Sequence, residues 1–297
     1  MTAEQERQFK TFGFVVIRQF FHPEELPVIR AEFNCAAERA SRWKKFDGTK
    51  MQYFKMLGSE TPFYASLPED PRFYETAEQL FSKRAFAFEV NAYRYVGNTP
   101  WHYNDGCMNT YGSGIKFQFG LEPVDSKTGA LRFIPGSHQE PFQRQLAEYP
   151  VLGKHFRKIQ GYDEKAAAQL DKMPCCKIEL DPCDIVAFDL RIMHATYGGS
   201  NDRQMSCVSF FHYPETLEEL ETMRHITPRY RYPQPSLEMP WHDGIAEEWL
   251  ANPGGNPKRQ QWVDSLTEIS LTPENSTGFE LRDSGYGSLV PVPLGAG

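Results

Sequence analysis

The first third of the chain switches between helical and extended spacing of its apolar residues. Thr2 and Gln5 form the pattern of a capping box, which predicts that a helix begins there and ends at Gly13. Ile29 and Phe33 belong to a later segment with apolar residues at helical spacing. Together these patterns predict helices over residues 3–11, 22–43 and 71–84, a strand over 14–21 and a loop over 44–70.

From residue 85 onward the pattern changes to short apolar runs. Turn signals such as GNTP, DSKTG and GGSND separate these runs from one another. The predicted strands cover residues 85–96, 115–122, 130–134, 176–180, 184–190 and 205–213, and a helical insert is predicted over 141–171. Many short strands of this kind favour an all-β core, a barrel or jelly roll, with flanking helices packed on one face.

The end of the chain is rich in proline and glycine and differs from the strand-rich part. We interpret residues 1–297 as one domain, with a core over about 1–215 and a C-terminal extension over 216–297. Helical stretches are predicted near 244–251 and 257–267. The extension is a candidate for a lid over the site or for a contact in a homodimer.

Composition and charge narrow the classes of partner. The net charge of −7 disfavours a nucleic-acid partner, which would require a basic face. The longest apolar run near the polar N-terminus, FGFVVI, is too short to cross a bilayer, so we expect no membrane partner. We therefore expect a cytoplasmic protein whose six cysteines are reduced thiols, packed as small buried residues.

Candidate chemistry concentrates in the stretch TPWHYNDGC and in a second stretch near residue 194. His102 is followed closely by Asn104 and Asp105, and His194 lies in FDLRIMHATYGGSNDRQ. A histidine and a carboxylate at the end of one strand, with a second histidine on another strand, form the ligand set that holds Fe(II) on one face and leaves positions open. Nine residues after His194, Arg203 is suited to bind a carboxylate through paired, charge-assisted hydrogen bonds.

Four stretches in this order carry a resemblance to a known family. They are FKTFGFVVIRQFFHPEEL, NAYRYVGNTPWHYNDG, GLEPVDSKTGALRFIPGSH and DIVAFDLRIMHATYGGSNDRQMSCVSFFHY. Over about residues 3–213 the chain resembles the phytanoyl-CoA dioxygenase-like family of Fe(II)/2-oxoglutarate-dependent oxygenases. The third stretch, which is similar to the family's hairpin, is the most specific of the four.

The resemblance implies a fold, a set of cofactors and a reaction. The implied fold is a double-stranded β-helix, a cupin-like jelly roll, that uses Fe(II), the co-substrate 2-oxoglutarate and O2. His102, Asp105 and His194 would hold the metal, Arg203 would bind the distal carboxylate of 2-oxoglutarate, and Gln118 would face that co-substrate. The expected reaction is hydroxylation of an unactivated C–H bond in a small organic molecule, for example in natural-product biosynthesis, with release of succinate and CO2.

Other outcomes on the same kind of iron centre stay open. Relatives also desaturate, cyclise, epimerise or halogenate their substrates. Halogenation usually accompanies a small residue in place of the carboxylate ligand, so the presence of Asp105 argues against it. A barrel that binds a small molecule without catalysis is the alternative from another class of protein.

The metal motif departs from the family's usual spacing. The resemblance implies a carboxylate two residues after the first histidine, because alternate residues of a strand point to the same side. Here that position is Asn104, and the carboxylate of Asp105 comes one residue later. A bulge could deliver Asp105, or a regular strand could present Asn104; we prefer Asp105, because a buried metal cation favours an anionic ligand.

Several further residues are candidates for the substrate side or for structural roles. We interpret His138 as a turn residue that braces the barrel, and His242 with Asp243 as the start of a helix. Asn91 and Tyr93 share one face of a strand, but the alternation does not say whether that face is the inner one. The substrate-side candidates are Asn91, Tyr93, Tyr53 and Lys116, and further lid candidates are Phe54, Lys55 and Trp241.

Overall fold

Two β-sheets that face each other form the centre of the structure, a computed structural model. It describes residues 1–43, 45–49, 51–103, 114–147, 173–199, 202–217, 219–220, 247–268, 279–283 and 289–293. The two sheets are packed as a jelly roll, as the sequence predicts. Helices cover the outer face of the larger sheet.

The N-terminal part supplies helices and two strands that extend the larger sheet. Its elements are α1 (Ala3–Phe12), β1 (Phe14–Ile17), α2 (Leu26–Trp43), β2 (Gln52–Lys55), α3 (Pro62–Ser66) and α4 (Pro71–Phe81). The capping box is confirmed, because the backbone N–H of Gln5 donates to Thr2 Oγ1 at 3.2 Å. The strand predicted over 14–21 is shorter, because the chain turns at Gln19, whose φ is 50°.

The loop predicted over residues 44–70 is wrong in its middle. Strand β2 pairs antiparallel with β3, and α3 follows it. Phe54 is fully buried on one side of β2, while Tyr53 and Lys55 project to the other side. A four-residue alternation is too short to separate from loop composition. These residues therefore belong to the sheet and not to a lid loop.

The remaining strands complete the two sheets. They are β3 (Ala85–Tyr95), β4 (Thr99–His102), β5 (Gly114–Gly120), β6 (Leu131–Phe133), β7 (Cys176–Ile178), β8 (Ile185–Asp189), β9 (His194–Thr196) and β10 (Arg203–His212). The larger sheet has the order β1-β8-β5-β10-β3-β2, and the smaller has the order β4-β9-β6-β7. The short strands β4 and β9 were not among those predicted from the sequence. Of the predicted helical insert, the described part contains α5 (Phe142–Ala147), and the rest lies outside the described residues.

Alternation along the larger sheet separates an apolar outer face from a polar inner one. Phe117 and Phe119 of β5 face outward, where their rings lie 5.3 Å from Phe73 of α4 and 4.8 Å from Phe21. Lys116 and Gln118, which alternate with these two phenylalanines along the strand, face the smaller sheet. Burial of each aromatic ring stabilises the fold by about 1.5–3 kcal/mol. The inner face therefore carries the polar side chains that are available for binding and chemistry.

The described helices of the C-terminal extension lie on the outer face of the larger sheet. They are α6 (Glu247–Ala251) and α7 (Pro257–Glu268), and a hairpin of β11 (Phe279–Asp283) and β12 (Leu289–Pro293) follows. Trp262 is fully buried, 6.1 Å from the ring of Phe210, and its indole N–H donates to the carbonyl oxygen of Pro68. These helices thus lie away from the inner face. The lid and dimer roles stay predictions for the rest of the extension.

Among the residues that the structure describes, no two cysteines form a disulfide, and most of the described cysteines are not buried. Cys207 is buried, whereas Cys35 and Cys176 are exposed and Cys175 and Cys183 are partly exposed. The prediction of small buried residues therefore holds for Cys207 alone among the described cysteines. Within the part of the chain that the structure describes, no helix is long and apolar enough to cross a membrane.

Candidate metal and co-substrate site

A pocket opens between the inner faces of the two sheets. Its walls come from β3, β5, β8 and β10 on one side and from β4, β6 and β9 on the other. The lining residues are Tyr95, Thr99, His102, Lys116, Gln118, Gly129, Leu131, Phe188, His194, Thr196, Arg203 and Met205. The pocket therefore collects the two predicted metal histidines, the predicted carboxylate-binding arginine and Gln118.

The two histidines lie side by side across the smaller sheet. His102 of β4 pairs with His194 of β9, and their ring centroids are 4.1 Å apart. Thr99 pairs with Thr196, so three residue steps on β4 span two on β9. That extra residue is a bulge, which is a common way to re-aim a side chain beside a site. The arrangement brings residues 92 positions apart in sequence into one ligand pair.

His194 is held in the form that a metal ligand requires. Its Nδ1 lies 2.9 Å from the carbonyl oxygen of Ile192, which fixes Nδ1–H as the donor and leaves Nε2 as the ligand atom. Burial is the main cause that lowers the pKa of His194 well below its ordinary value, and the neighbouring His102 lowers it further. The ring is 5% exposed and packs near Phe188. It is therefore neutral at neutral pH, as ligation demands.

A turn before α5 supports the segment that carries His194. The buried hydroxyl of Ser137 accepts a hydrogen bond from the backbone N–H of Met193 at 2.8 Å. The adjacent His138 packs against Gly13, where an added Cβ would lie 2.6 Å from Nδ1 of the ring. His138 is thus a bracing residue outside the pocket, in agreement with the sequence interpretation.

Arg203 begins β10 and projects into the other end of the pocket. Its guanidinium donates to the carbonyl oxygens of Gly129 at 3.3 Å and Gly97 at 3.2 Å, and to Thr196 Oγ1 at 3.4 Å. A Cβ on Gly129 or Gly199 would lie 1.7 or 2.0 Å from Arg203 Nη1. Glycine is therefore needed at both positions for the arginine to take this path.

The electrostatics at Arg203 call for an anion. The side chain is 5% exposed, and none of the described residues offers it a carboxylate. Burial lowers the pKa of Arg203, which reflects the cost of a desolvated cation. The carboxylate of 2-oxoglutarate fits this position, because a planar guanidinium binds a carboxylate through two parallel hydrogen bonds.

The structure also decides the question of the strand face that the sequence left open. Asn91 and Tyr93 of β3 share the inner face with Tyr95, which lines the pocket. Arg94 points to the opposite side, where it pairs with Asp202 at 2.7 Å. The predicted substrate-side residues of β3 are therefore on the side of the site.

The predicted third metal ligand falls on the part of the chain that is not described. Asn104 and Asp105 lie outside the described residues, as do Trp241, His242 and Asp243. Among the residues that are described, no three histidine, cysteine or acidic side chains gather in a metal-binding cluster. The described half of the site is the histidine pair.

Sequence reasoning missed the residues that support the site. Thr196, Gly129 and Gly199 surround Arg203, and Ser137 supports the strand of His194. Gly129 and Gly199 lie in the turns DSKTG and GGSND, which the sequence analysis treats only as separators between strands. Turn glycines next to a predicted anion-binding arginine would have been the clue.

The fold and the site together define a class of protein: a jelly roll whose pocket holds a histidine pair and a buried arginine with no carboxylate partner among the described residues. The sequence profile of the phytanoyl-CoA dioxygenase (PhyH) family matches residues 9–205. The chain therefore belongs to that family. It is an Fe(II)/2-oxoglutarate-dependent dioxygenase that uses O2.

Individual relatives are distant. The phytanoyl-CoA dioxygenase domain-containing protein 1 homolog of Dictyostelium discoideum is 22% identical over 240 residues, which cover 65% of this chain and 84% of that protein. The carbocyclase SnoK from nogalamycin biosynthesis, an α-ketoglutarate-dependent enzyme, has a TM-score of 0.55 at 16% identity and covers 72% of this chain and 85% of its own. HygX from Streptomyces hygroscopicus, solved with nickel and 2-oxoglutarate, has a TM-score of 0.52 at 20% identity and covers 74% and 89%. The structural likeness shows the shared fold.

Proposed function

We propose that this enzyme hydroxylates an unactivated C–H bond of a small organic molecule and releases succinate and CO2. The observation that carries the proposal is the pocket that joins His102 and His194 to the buried cation of Arg203. When bound, the iron centre supplies the oxidation chemistry by activating O2 with 2-oxoglutarate as co-substrate. The residues of the chain bind, orient and exclude water.

Six residues of the pocket have a proposed task. Nε2 of His194 is left as a ligand atom by the hydrogen bond of Nδ1, and His102 is the second ligand. Arg203 binds the distal carboxylate of 2-oxoglutarate, and Gln118 faces the same co-substrate from β5. Phe188 and Leu131 line the walls with apolar surface, which strengthens each of these polar interactions.

We assign the third ligand to Asp105. Trp101 and Tyr103 are both buried in one hydrophobic cluster with Ile134 and Met193. Because His102 between them lines the pocket instead, the side chains alternate regularly through His102. An extra residue that delivers Asp105 would therefore have to come after Tyr103, whereas a regular continuation would present Asn104. The carboxylate is favoured because it neutralises part of the metal charge in a buried site.

The substrate is proposed to approach from the side of β2 and β3. Tyr53, Asn91, Tyr93 and Lys116 lie on the inner face of the larger sheet, and Lys116 reaches the pocket itself. Polar groups at fixed positions in a largely enclosed cavity orient a small ligand. These four residues are therefore the proposed substrate contacts.

The test is an anaerobic titration with Fe(II) and 2-oxoglutarate, followed by single turnover with O2. We expect a visible charge-transfer band on titration and formation of succinate on exposure to O2. His102→Ala and His194→Ala should abolish iron retention, whereas His22→Ala, on the exposed side of the molecule, should leave it intact. A barrel that only binds a small molecule would give neither band nor succinate, and that outcome would defeat the proposal.

Two further variants decide the third ligand. Asp105→Ala should lose iron, whereas Asn104→Ala should retain it. Iron retained in the first variant and lost in the second would overturn the assignment of Asp105 and reopen halogenation as an outcome.

The mass of the product decides among the reactions. In a screen of small metabolites with the loaded enzyme, hydroxylation adds one oxygen to the substrate. Desaturation or cyclisation removes two hydrogens, and epimerisation leaves the mass unchanged. A product without added oxygen would contradict the proposed hydroxylation while leaving the dioxygenase class in place.

A further inference from the structure

Two turns of the chain frame the guanidinium of Arg203. The first turn covers residues 125–130, and the second covers residues 197–199. An added Cβ would lie 1.7 Å from Arg203 Nη1 on Gly129 of the first turn and 2.0 Å from it on Gly199 of the second. The carbonyl oxygen of Gly129 also accepts a hydrogen bond from the same guanidinium at 3.3 Å. The positions of these two turns therefore set the space and the direction that are open to Arg203.

The shape of the first turn is fixed by its own hydrogen bonds. The carboxylate of Asp125 accepts from the backbone N–H groups of Lys127 at 2.7 Å and Thr128 at 2.9 Å. The backbone N–H of Ala130 donates to the carbonyl oxygen of Asp125 at 2.9 Å. Such local bonds are typical of an aspartate in a turn. They hold the turn together, but they do not fix its distance from the second turn.

Arg132 of β6 joins the two turns. It follows Leu131, which lines the pocket, and it faces the opposite side of the strand, behind the pocket. There its guanidinium donates to the carbonyl oxygens of Ser126 at 3.2 Å and Ala130 at 3.1 Å, both in the first turn. It also donates to the carbonyl oxygen of Tyr197, in the second turn, at 3.0 Å. These three hydrogen bonds hold the turns at one separation.

Arg132 is buried at this position in spite of its charge. The residue is 2% exposed, and its guanidinium lies 3.4 Å from the centroid of the Tyr197 ring. Its hydrogen bonds go to backbone carbonyls and not to a carboxylate of the described residues. Burial of a cation is costly, but the planar guanidinium donates to several acceptors in a rigid geometry, which an ammonium group does not. An arginine is therefore suited to fix the two turns relative to each other.

We infer that Arg132 is a positioning residue for the binding of 2-oxoglutarate. By fixing the two turns, it holds the guanidinium of Arg203 in the direction from which two parallel hydrogen bonds reach the distal carboxylate. Arg132 itself does not touch the co-substrate. This inference rests on the proposed function, because the proposed function assigns that carboxylate to Arg203.

The test compares two ligands that differ only at their distal end. 2-Oxoglutarate and 2-oxopentanoate share the 2-oxo acid group and the carbon chain, but 2-oxopentanoate ends in a methyl group instead of a carboxylate. Each ligand is titrated without O2 into the full-length protein loaded with Fe(II), and the visible charge-transfer band gives the dissociation constant. In Arg132→Met we expect about tenfold weaker binding of 2-oxoglutarate and a change of less than about twofold for 2-oxopentanoate.

Two further variants separate positioning from charge and from general stability. Arg132→Lys keeps the positive charge but lacks the planar fork, so we expect it to bind 2-oxoglutarate more weakly as well. This variant also serves as the test if Arg132→Met does not fold. Arg72→Met removes another arginine, which lies outside the pocket and binds the carbonyl oxygen of Phe20 and the carboxylate of Glu25. It should lower the melting temperature and leave both affinities unchanged.

A double-mutant cycle tests whether Arg132 acts through Arg203. When Arg203→Met is already present, adding Arg132→Met should change the affinity for 2-oxoglutarate by less than about twofold, because the group that Arg132 positions is gone. An equal loss of affinity with and without Arg203 would show that Arg132 acts by another route, and that result would overturn the inference.

The remaining outcomes separate this inference from the proposed function. Normal affinity for 2-oxoglutarate in Arg132→Met or Arg132→Lys overturns the inference alone, and so does an equal loss for both ligands. Normal affinity in Arg203→Met would instead remove the role of Arg203 from the proposed function. A wild-type protein without the charge-transfer band defeats the proposed function itself.

Discussion

Two ends of the row of inward-facing residues on β3 and β10, at Arg203 and at Glu89, treat a buried positive charge in opposite ways. At one end, Arg203 is surrounded by carbonyl and hydroxyl oxygens and has no carboxylate among the described residues. At the other end, Lys55 lies 3.9 Å from Glu89, which Tyr53 also holds. The first end leaves its charge for a ligand to complete, whereas the second supplies much of the compensation from the protein.

This difference indicates which end suits a ligand that is common to the family and which end can set the specificity of the individual enzyme. A lone guanidinium held by backbone oxygens binds any carboxylate of suitable reach, which suits a co-substrate common to a family. A network of lysine, glutamate and tyrosine depends on several side chains at once, so single substitutions can alter its specificity. We therefore expect the two ends to respond differently to the removal of charge.

The largest effect on stability is expected from Glu89→Gln. Removing one partner of a buried ion pair leaves Lys55 uncompensated, and we expect a loss of about 3 kcal/mol in the free energy of unfolding. Urea denaturation measures it, and Glu38→Gln on the exposed face of α2 is the matched control. The affinity for 2-oxoglutarate should stay within a factor of about two, because Arg203 is unaffected. If Glu89→Gln and Glu38→Gln were equally stable, the compensation of Lys55 by Glu89, and with it the contrast to Arg203, would be contradicted.

Removal of the arginine should reverse this result. Arg203→Met is expected to weaken 2-oxoglutarate binding by about 2 kcal/mol, roughly thirtyfold, because a charge-assisted bidentate contact is lost. Without 2-oxoglutarate, the stability should change by less than about 1 kcal/mol, since relief from desolvation opposes the loss of three long hydrogen bonds. Isothermal titration and urea denaturation give the two values, with exposed Arg7→Met as control. A variant that binds 2-oxoglutarate normally would refute the role of Arg203.

A subtler substitution tests the path of the arginine. In Gly199→Ala the new Cβ would lie 2.0 Å from Arg203 Nη1, so the flexible end of that side chain must move. We expect about tenfold weaker binding of 2-oxoglutarate with little change in melting temperature. Gly58→Ala, where nothing lies within 4 Å of the added atom, should change neither quantity. Unaltered co-substrate affinity in Gly199→Ala would show that the close passage is not required.

The smallest effect is the pH dependence of the pair at the second end. Burial would raise the pKa of Glu89, but Lys55 and Lys116 outweigh it and lower that pKa, so the ionised form is favoured in the folded protein. Its contribution to stability is complete above the ordinary glutamate value of 4.5 and is lost as the pH falls through the lower folded pKa. The stability difference between the wild type and Glu89→Gln should therefore shrink in acid. A difference that grows on acidification would show that Glu89 is protonated in the fold.

The sequence was informative where chemistry depends on residue type and order. His102, His194 and Arg203 were predicted from their types and separations, and all three line one pocket. The capping box of α1 was equally readable, because it rests on residues three apart. The loop assigned to residues 44–70 failed, because β2 is stable only through its pairing with β3. Local patterns cannot report a partner that lies forty residues away.

The sequence by itself determined which residues make up the candidate site, two histidines and an arginine, and the family whose fold brings them together. Only the tertiary structure decided that Asn91, Tyr93 and Lys116 face inward and that Glu89 compensates Lys55. The reason is that alternation along a strand gives two faces but does not say which one is enclosed. That choice is made by the helices, whose apolar surfaces bury the other face and leave the polar one to enclose the cavity.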